Sequence, residues 1–411
     1  MKIQSLQSIP YGWSIETLES LTPKDEKFGI VDGPFGSNLK TIHYQTEGIP
    51  IITSGYVTNG YFYADKYLYV TKEKFNQEKR SAVKGGDIVM AKIGARCGSS
   101  AIFPYDHQVG ILSGNALKIT IDETRYRTMY IWQILLSSYR NNKLDALRSV
   151  GAQPALSMAS LKKYKLLLPP LPEQNRIVSV FETWDQSIEK LTKKIEIKKQ
   201  IKKGLMQDLL TGKKRLNGFY GKWVMVKLSD VAINLDNKRI PLNSEDRDKR
   251  KGDIPYCGAN GIVDYVDGHI FDEDIILVAE DGGQFDEYKT RPIAYRMKTK
   301  CWVNNHAHVI KAKENFSQDL LFYLTVHKDI LQYLNGGTRA KLNKSELLKI
   351  KYFVSTDKKE QQAIANILNT LDNEINFLKK KLSLVRDQKQ YLLNNLITGT
   401  IRTPETLSVK L

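Results

Sequence analysis

The chain has 411 residues, a formal net charge of +17, 41% hydrophobic residues and 26% charged residues. That composition suits a globular protein with two or more cores. No apolar run approaches the ~20 residues of a membrane span, and the opening MKIQSLQSIPYGW lacks the apolar stretch of a secretory signal. The three cysteines, Cys97, Cys257 and Cys301, are too few and too scattered for a disulfide framework, so a reducing cytoplasm is expected. The positive balance suits a polyanion: nucleic acid or an anionic membrane surface.

In chain order, residues 1–165 read as a mixed α/β lobe with many short strands. It opens with GWSIETLESL, which contains Trp13 and Leu18. A Gly–Ile–Pro element follows, GIPIITSGYVTNGY at 48–61. An apolar strand then runs into a glycine-rich turn in GGDIVMAKIGARCGSS at 85–100. The lobe closes with a glycine loop and a short strand in GAQPALSMASLKKYKLLLP at 151–169.

Residues 166–212 form a helical spacer. Pro169, Pro170 and Pro172 mark its start, where proline is tolerated. Ile177, Phe181, Trp184, Ile188, Leu191, Ile195, Leu205 and Leu209 form a heptad seam, interrupted by Lys198 and Lys202. Gly212 provides the left-handed end. From Glu173 to Leu210 such a helix is roughly 57 Å long at ~1.5 Å per residue.

Residues 213–352 repeat the first lobe. GKWVMVKLSDV places Trp223 and Leu228 as the first opening places Trp13 and Leu18. GDIPYCGANGIVDY at 252–265, DEDIILVAEDGGQF at 272–285 and GGTRAKLNKSELLKIKYFV at 336–354 follow in the same order. Residues 353–411 repeat the helix, with a seam of Ile364, Leu368, Leu371, Ile375, Leu378, Leu382, Val385, Leu392 and Leu396. Lys389 fills one seam position, Gly399 ends the helix and Pro404 blocks its continuation.

The helical repeat has no gaps. LPEQNRIVSVFETWDQSIEKL aligns with KKEQQAIANILNTLDNEINFL, so that Glu173 matches Glu360, Gln174 matches Gln361 and Asp185 matches Asp372. The match runs on to Thr211-Gly212 against Thr398-Gly399. Such a repeat implies an α+β chain ordered lobe, helix, lobe, helix, with an internal pseudo-two-fold. The two seams are expected to pack on each other, each helix acting as a spacer between lobes. Divergence at the turns over a persistent strand pattern suits a shared scaffold with different loop chemistry.

Catalytic signatures are sparse. The sequence contains no GxxxxGK[ST] loop, no GxGxxG after a strand, no Asn/Asp-Pro-Pro-aromatic tetrad, no HExxH and no GxSxG. Cys301, His306 and His308 lie close enough to suggest zinc, but no second cluster completes a shell. The alternative placement puts Asn304, Asn305 and His306 where a strand meets a loop. Glu287-Tyr288-Lys289, with Asp274 and Asp281 upstream, has the acid and Glu-x-Lys pattern of a nuclease metal site, but Glu196-Ile197-Lys198 shows that spacing inside the helix as well.

The glycine loop with Gln153 and Leu156-Ser157, then LLLPPLPEQNRIVSVF, then the helix ending LMQDLLTGKKRL resemble the DNA-specificity subunit of type I restriction–modification systems. The second copy keeps Glu360-Gln361, Ile364 and LLNNLITG, but has Val354-Ser355-Thr356-Asp357 in place of the prolines. The resemblance covers essentially the whole chain. It implies two mixed α/β target recognition domains, each reading half of a split DNA site, joined by two long helices in an antiparallel coiled coil. It further implies partner subunits: two copies of a methylation subunit carrying S-adenosylmethionine and modifying adenine, and a restriction subunit using ATP and Mg²⁺. This chain would hold no cofactor and supply specificity rather than chemistry.

Lysine and arginine contacts to phosphate would then supply affinity, and loop side chains would read bases. The candidates in the first lobe are Ser54, Lys92, Arg96, Asn115 and Gln153. In the second they are Asn260, Glu280, Gln284, Asn304, Asn305, Arg339 and Lys341. Two readings from other classes stand beside this one: a single-chain nuclease using Asp274, Glu287 and Lys289, and a coiled-coil scaffold that binds only protein.

Overall fold

The computed structural model describes residues 9–149, 153–336 and 340–407. Its contacts divide the chain into two compact units, Met1–Lys190 with Ser383–Leu411, and Leu191–Leu382. The first unit holds the first lobe and the second unit the second lobe, each together with part of both long helices.

In the first lobe, the strand Ser14–Thr17 pairs antiparallel with Lys165–Leu168. A four-stranded antiparallel sheet runs in the order Ile30–Asp32, Ala116–Ile119, Ile88–Ala91, Ser100–Ile102. A second sheet joins Tyr69–Val70, Ile49–Ile52, Gly110–Leu112 and Ala82–Val83, with a parallel contact between Ile49–Ile52 and Gly110–Leu112. The central strand Ile88–Ala91 is covered on both faces. Ile88 and Met90 enter the core that holds the helix Thr128–Arg140, while Val89 packs with Ile52, Phe103 and Leu112. Double burial explains why this strand reads as an unbroken apolar run rather than an alternation.

The second lobe repeats the plan. Trp223–Lys227 pairs antiparallel with Lys351–Ser355. The sheet Ala232–Asn234, Ala307–Ala312, Ile275–Ala279, Ala294–Met297 matches the first lobe's sheet strand for strand. Its central strand is again split between two cores, Ile276 and Val278 on one side and Ile275 and Leu277 on the other. The Gly–Ile–Pro element differs. Here it is a long bulged hairpin, Lys251–Gly258 with Gly261–Val266, lying parallel to Trp302–Val303.

The long helices span Leu171–Leu209 and Lys358–Leu396, 39 residues each, or about 58 Å at the usual rise. Pro172 sits in the first turn of one, and the Pro170 carbonyl accepts from the Glu173 and Gln174 N–H groups. Where the second copy lacks prolines, Asp357 Oδ1 caps the Lys359 N–H at 2.8 Å. Gly212 and Gly399 take φ of 69° and 73° just past the helices, as left-handed ends require.

In the first lobe, Ile177 and Phe181 share a core with Leu392, Leu393 and Leu396. In the second, Leu205 and Leu209 meet Ile364, Ala365 and Leu368. The early part of one helix therefore meets the late part of the other in each lobe, and the pair is antiparallel. At their ends these seams merge with lobe residues such as Leu18 and Leu166, or Leu228 and Leu347. Ile364, Leu368, Leu371, Ile375 and Leu378 are all buried. Trp184, Ile188, Leu191, Leu205 and Leu392 are only half-buried. Leu393, not Leu392, is the buried neighbour of Leu396.

Candidate nucleic-acid interface

The Glu-Gln pair that opens each long helix does the same two jobs in both lobes. Glu173 is 2% exposed. Both of its oxygens accept from Arg402, each at 2.6 Å, and Oε2 also accepts from the Trp13 indole at 3.1 Å. Glu360, 0% exposed, accepts from Arg215 at 3.0 and 2.7 Å. Burial alone would raise the Glu360 carboxyl, but hydrogen bonds from Arg215 and Ser355 and the arginine charge hold it below the ordinary value. Trp223 stands beside this carboxylate, although its indole N–H makes no well-formed hydrogen bond.

The adjacent glutamines close the lobes. Gln174 accepts from the Arg127 N–H at 2.9 Å and donates to the Pro169 carbonyl at 2.9 Å. Gln361 accepts from the Ser317 N–H at 3.0 Å and donates to the Ser355 carbonyl at 2.9 Å. Arg127 and Ser317 are the residues that begin the helices Thr128–Arg140 and Gln318–Val326, whose first N–H groups have no partner inside the helix. The motif was visible in the sequence. The arginines that complete it, Arg215 and Arg402, were not singled out, although both follow the Thr-Gly ends at the same distance.

On this frame the central strand of each lobe delivers one residue to a loop cluster. In the first lobe that residue is Lys92. Its N–H donates to the Asn115 carbonyl at 2.9 Å, and its carbonyl accepts from the Leu156 N–H at 2.9 Å. Asn115 Oδ1 accepts from the Ser54 N–H at 3.2 Å. Arg96 reaches Thr58 Oγ1 at 2.6 Å, and the glycine loop bridges Ile93 through Ala155, close to Gln153. All five candidates of the first lobe therefore come together. Asn115, Arg96 and Gln153 are exposed. The Lys92 side chain is only 14% exposed, with its ammonium 2.5 Å from Asp32.

The second lobe places Glu280 at the equivalent point. Its N–H donates to the His306 carbonyl at 2.9 Å, and its carbonyl accepts from the Leu342 N–H at 2.8 Å. Its carboxylate meets Arg239 at 2.7 Å, Lys341 at 3.1 Å and His308 at 3.5 Å. Asn260 donates to the Gly282 carbonyl at 2.9 Å, Asn304 accepts from the His306 N–H at 2.8 Å, and the Asn305 carbonyl accepts from Arg239 at 3.3 Å. Gln284 is exposed after the same turn. Asn304 is buried, so its side chain shapes the turn rather than facing solvent. Arg339 lies outside the described residues.

Neither catalytic alternative is assembled. His308 is buried, with Nδ1 bonded to Asp236 at 2.7 Å and Nε2 to the Leu342 carbonyl at 2.7 Å, so no ring nitrogen is left for zinc. Burial works against the charge of Asp236, but the hydrogen bond and charge of His308 and the Val309 N–H lower its carboxyl overall. A hydrogen bond with Cys257 and burial push the Cys301 thiol up, which opposes the thiolate that a metal needs. These two cysteines, distant in sequence, are free thiols packed in one core. Asp274 is bonded to Arg296, and Glu287 pairs with Arg291 at 2.9 Å. They lie beyond opposite ends of the ladder between Ile275–Ala279 and Ala294–Met297, roughly 10 Å long at ~3.4 Å per residue. Among the described residues no cluster of three or more His, Cys, Asp or Glu could hold a metal, and no helix is long and apolar enough to cross a membrane.

Comparison with known proteins matches this twofold plan. A family described as the type I restriction modification DNA specificity domain matches residues 36–199 and again 220–386. The putative type I restriction enzyme MjaX specificity subunit of Methanocaldococcus jannaschii is 24% identical over 386 residues, spanning 86% of this chain and 88% of that one. A putative type I restriction enzyme specificity subunit of Haemophilus influenzae is 36% identical over 137 residues, 33% of this chain and 34% of that protein. Among solved structures, the S subunit of a type I restriction–modification system from M. genitalium superposes with a TM-score of 0.59 at 17% identity, covering 93% of this chain and 96% of that one. A chain from a study of complex assembly and conformational transition in the type I system gives 0.56 at 14% identity, covering 96% and 100%.

Proposed function

Because the chain belongs to the type I restriction modification DNA specificity family and is a DNA sequence-recognition subunit of that kind, we propose that each lobe reads one half of a split site through its own loop cluster. The observation that carries this reading is the pair of clusters built on identical backbone hydrogen bonds around Lys92 and Glu280 but lined by different side chains. Backbone contacts fix a reader's position, and loop side chains give it a sequence. In the first lobe Ser54, Arg96, Asn115 and Gln153 contact DNA. In the second, Asn260, Gln284, Asn305, Arg339 and Lys341 do so, while Glu280 and Asn304 hold the others in place.

The helix pair sets the gap between half-sites and docks the methylation subunits, two per chain. Those subunits carry S-adenosylmethionine and flip and methylate an adenine, and a restriction subunit supplies ATP- and Mg²⁺-dependent cleavage. The chain itself works without catalysis, in the cytoplasm.

Exchanging residues 213–345 for those of another family member tests the modular reading. Methylated adenines mapped in host DNA should shift at one half-site and stay unchanged at the other. A change at both halves would defeat it.

A further inference from the structure

An open aromatic side chain beside the first loop cluster is Phe35, 46% exposed. It follows the edge strand Ile30–Asp32 in the turn Pro34-Phe35-Gly36, where Gly36 takes φ of 57° with open space around it. Single exposed apolar residues are common on surfaces. This one is propped from two sides. The Lys92 ammonium lies 4.3 Å from the ring centroid and is itself held by Asp32. On the other side the ring rests on Gly114, where a Cβ would come within 2.8 Å of a ring carbon. Gly114 lies between Ser113 and Asn115, whose side chains bond each other, and Asn115 in turn holds Ser54. The ring therefore borders the polar cluster and is fixed in place by a partly buried ion pair. Lys92, with its charge satisfied and its side chain mostly covered, would have to abandon both partners to reach a base.

We propose that Phe35 is a DNA-contact residue of the first lobe, stacking on a base or sugar of that lobe's half-site, and that Lys92 and Asp32 are positioning residues that hold the ring. The inference rests on the DNA-reading function above. Aromatic faces accept any base without needing a hydrogen-bond code, so the ring would set affinity and register while Asn115, Ser54 and Gln153 set sequence. The second lobe carries no such ring at the matching place. The segment leaving Ala232–Asn234 sends Arg239 to Glu280 instead, so the effect is confined to one half-site.

The test uses the assembled complex with its methylation subunits and duplexes carrying the mapped site, intact or with either half scrambled. Phe35→Ala and Phe35→Leu should each weaken binding to the intact site about tenfold, within the worth of one base–aromatic stack. Phe35→Trp should restore it. The slope of log affinity against log salt should not change, because no charge is removed, and discrimination at the second half-site should persist. If Phe35→Leu binds like the unaltered chain, the ring only packs and the inference is overturned. If Phe35→Leu melts lower and Phe35→Trp restores melting but not binding, it is overturned too. An unaltered complex that cannot tell the intact site from scrambled DNA would defeat the DNA-reading function itself, and this inference with it.

Discussion

In the first lobe the residue that leaves the central strand is Lys92, held by Asp32. In the second it is Glu280, held by Arg239 and Lys341. The main chain around the two is the same: one N–H to a turn carbonyl, one carbonyl to the returning glycine loop. Such bonds are indifferent to the side chain they flank. The charge at the point of convergence is therefore free to reverse, provided that a neighbouring loop supplies the partner. A lysine ends up anchored by a carboxylate in both lobes, but it arrives on the strand in one and on the loop in the other. The frame beneath shows no such freedom, with Glu, Gln and Arg recurring at matching positions.

If the frame is what the lobes share, breaking it should cost each lobe alike. Glu360→Ala is expected to lower stability by about 3 kcal/mol, the scale of breaking a buried ion pair, and Glu173→Ala by a similar amount, both read from urea unfolding midpoints. The pH dependence follows from the lowered Glu360 carboxyl. A depressed folded value contributes stability that is present above the unfolded value, near 4.3, and is lost as pH falls through the folded value. The unaltered chain should therefore lose stability below roughly pH 4.3 more steeply than Glu360→Gln. Equal slopes would mean that the carboxylate contributes little to the second lobe.

Gln361→Ala comes next. It leaves the Ser317 N–H and the Ser355 carbonyl without their partner in a buried setting, a loss of about 1–3 kcal/mol. Gln174→Ala should behave alike through Arg127 and Pro169. A twofold disparity between the two would show that the lobes close differently despite their matched bonds.

The sequence made the frame legible because a helix seam has a fixed period and an ungapped repeat leaves few ways to pair. The matching of Ile177 to Ile364, the glycine ends and the apolar strand at 88–91 all follow from pattern alone. The loop clusters were legible only as places. Pattern places Lys92 and Glu280 among the loop readers, yet each is tied to a partner far along the chain, Asp32 or Arg239, that no local pattern announces. Spacing alone makes His308 a candidate zinc ligand, because it cannot reveal that Asp236 and the Leu342 carbonyl already occupy both of its nitrogens. Leu393 rather than Leu392 is the buried residue there, in a core that holds both the other helix, through Ile177 and Phe181, and lobe residues such as Leu18.

The reversed charge at the strand end can be probed directly. Glu280→Gln removes the anion that restrains Arg239 and Lys341. Non-specific DNA binding should tighten, and its salt slope should steepen by about one unit, measured by titration at several salt concentrations. The first half-site should be read as before. An unchanged slope would mean that the two cations never reach phosphate.

The smallest expected effects lie in the seam. Lys389 meets Asp185 at 2.5 Å, and Lys202 meets Asp372 at 2.6 Å, the same pair in each lobe by the repeat. Their surroundings differ. Asp185 is 54% exposed, whereas Asp372 also accepts from Tyr323 at 2.7 Å, and Lys202 lies 5.3 Å from that ring. Lys389→Leu should change stability by less than about 1 kcal/mol, in the stabilising direction if the leucine completes the apolar stripe. Lys202→Leu should be the more costly of the two, because it strips a partner from a carboxylate already drawn into the Tyr323 network. A double-mutant cycle of Lys202 with Asp372 should therefore give a larger coupling than one of Lys389 with Asp185. The reverse order would mean that solvent exposure, not the extra tyrosine, decides how these seam charges act.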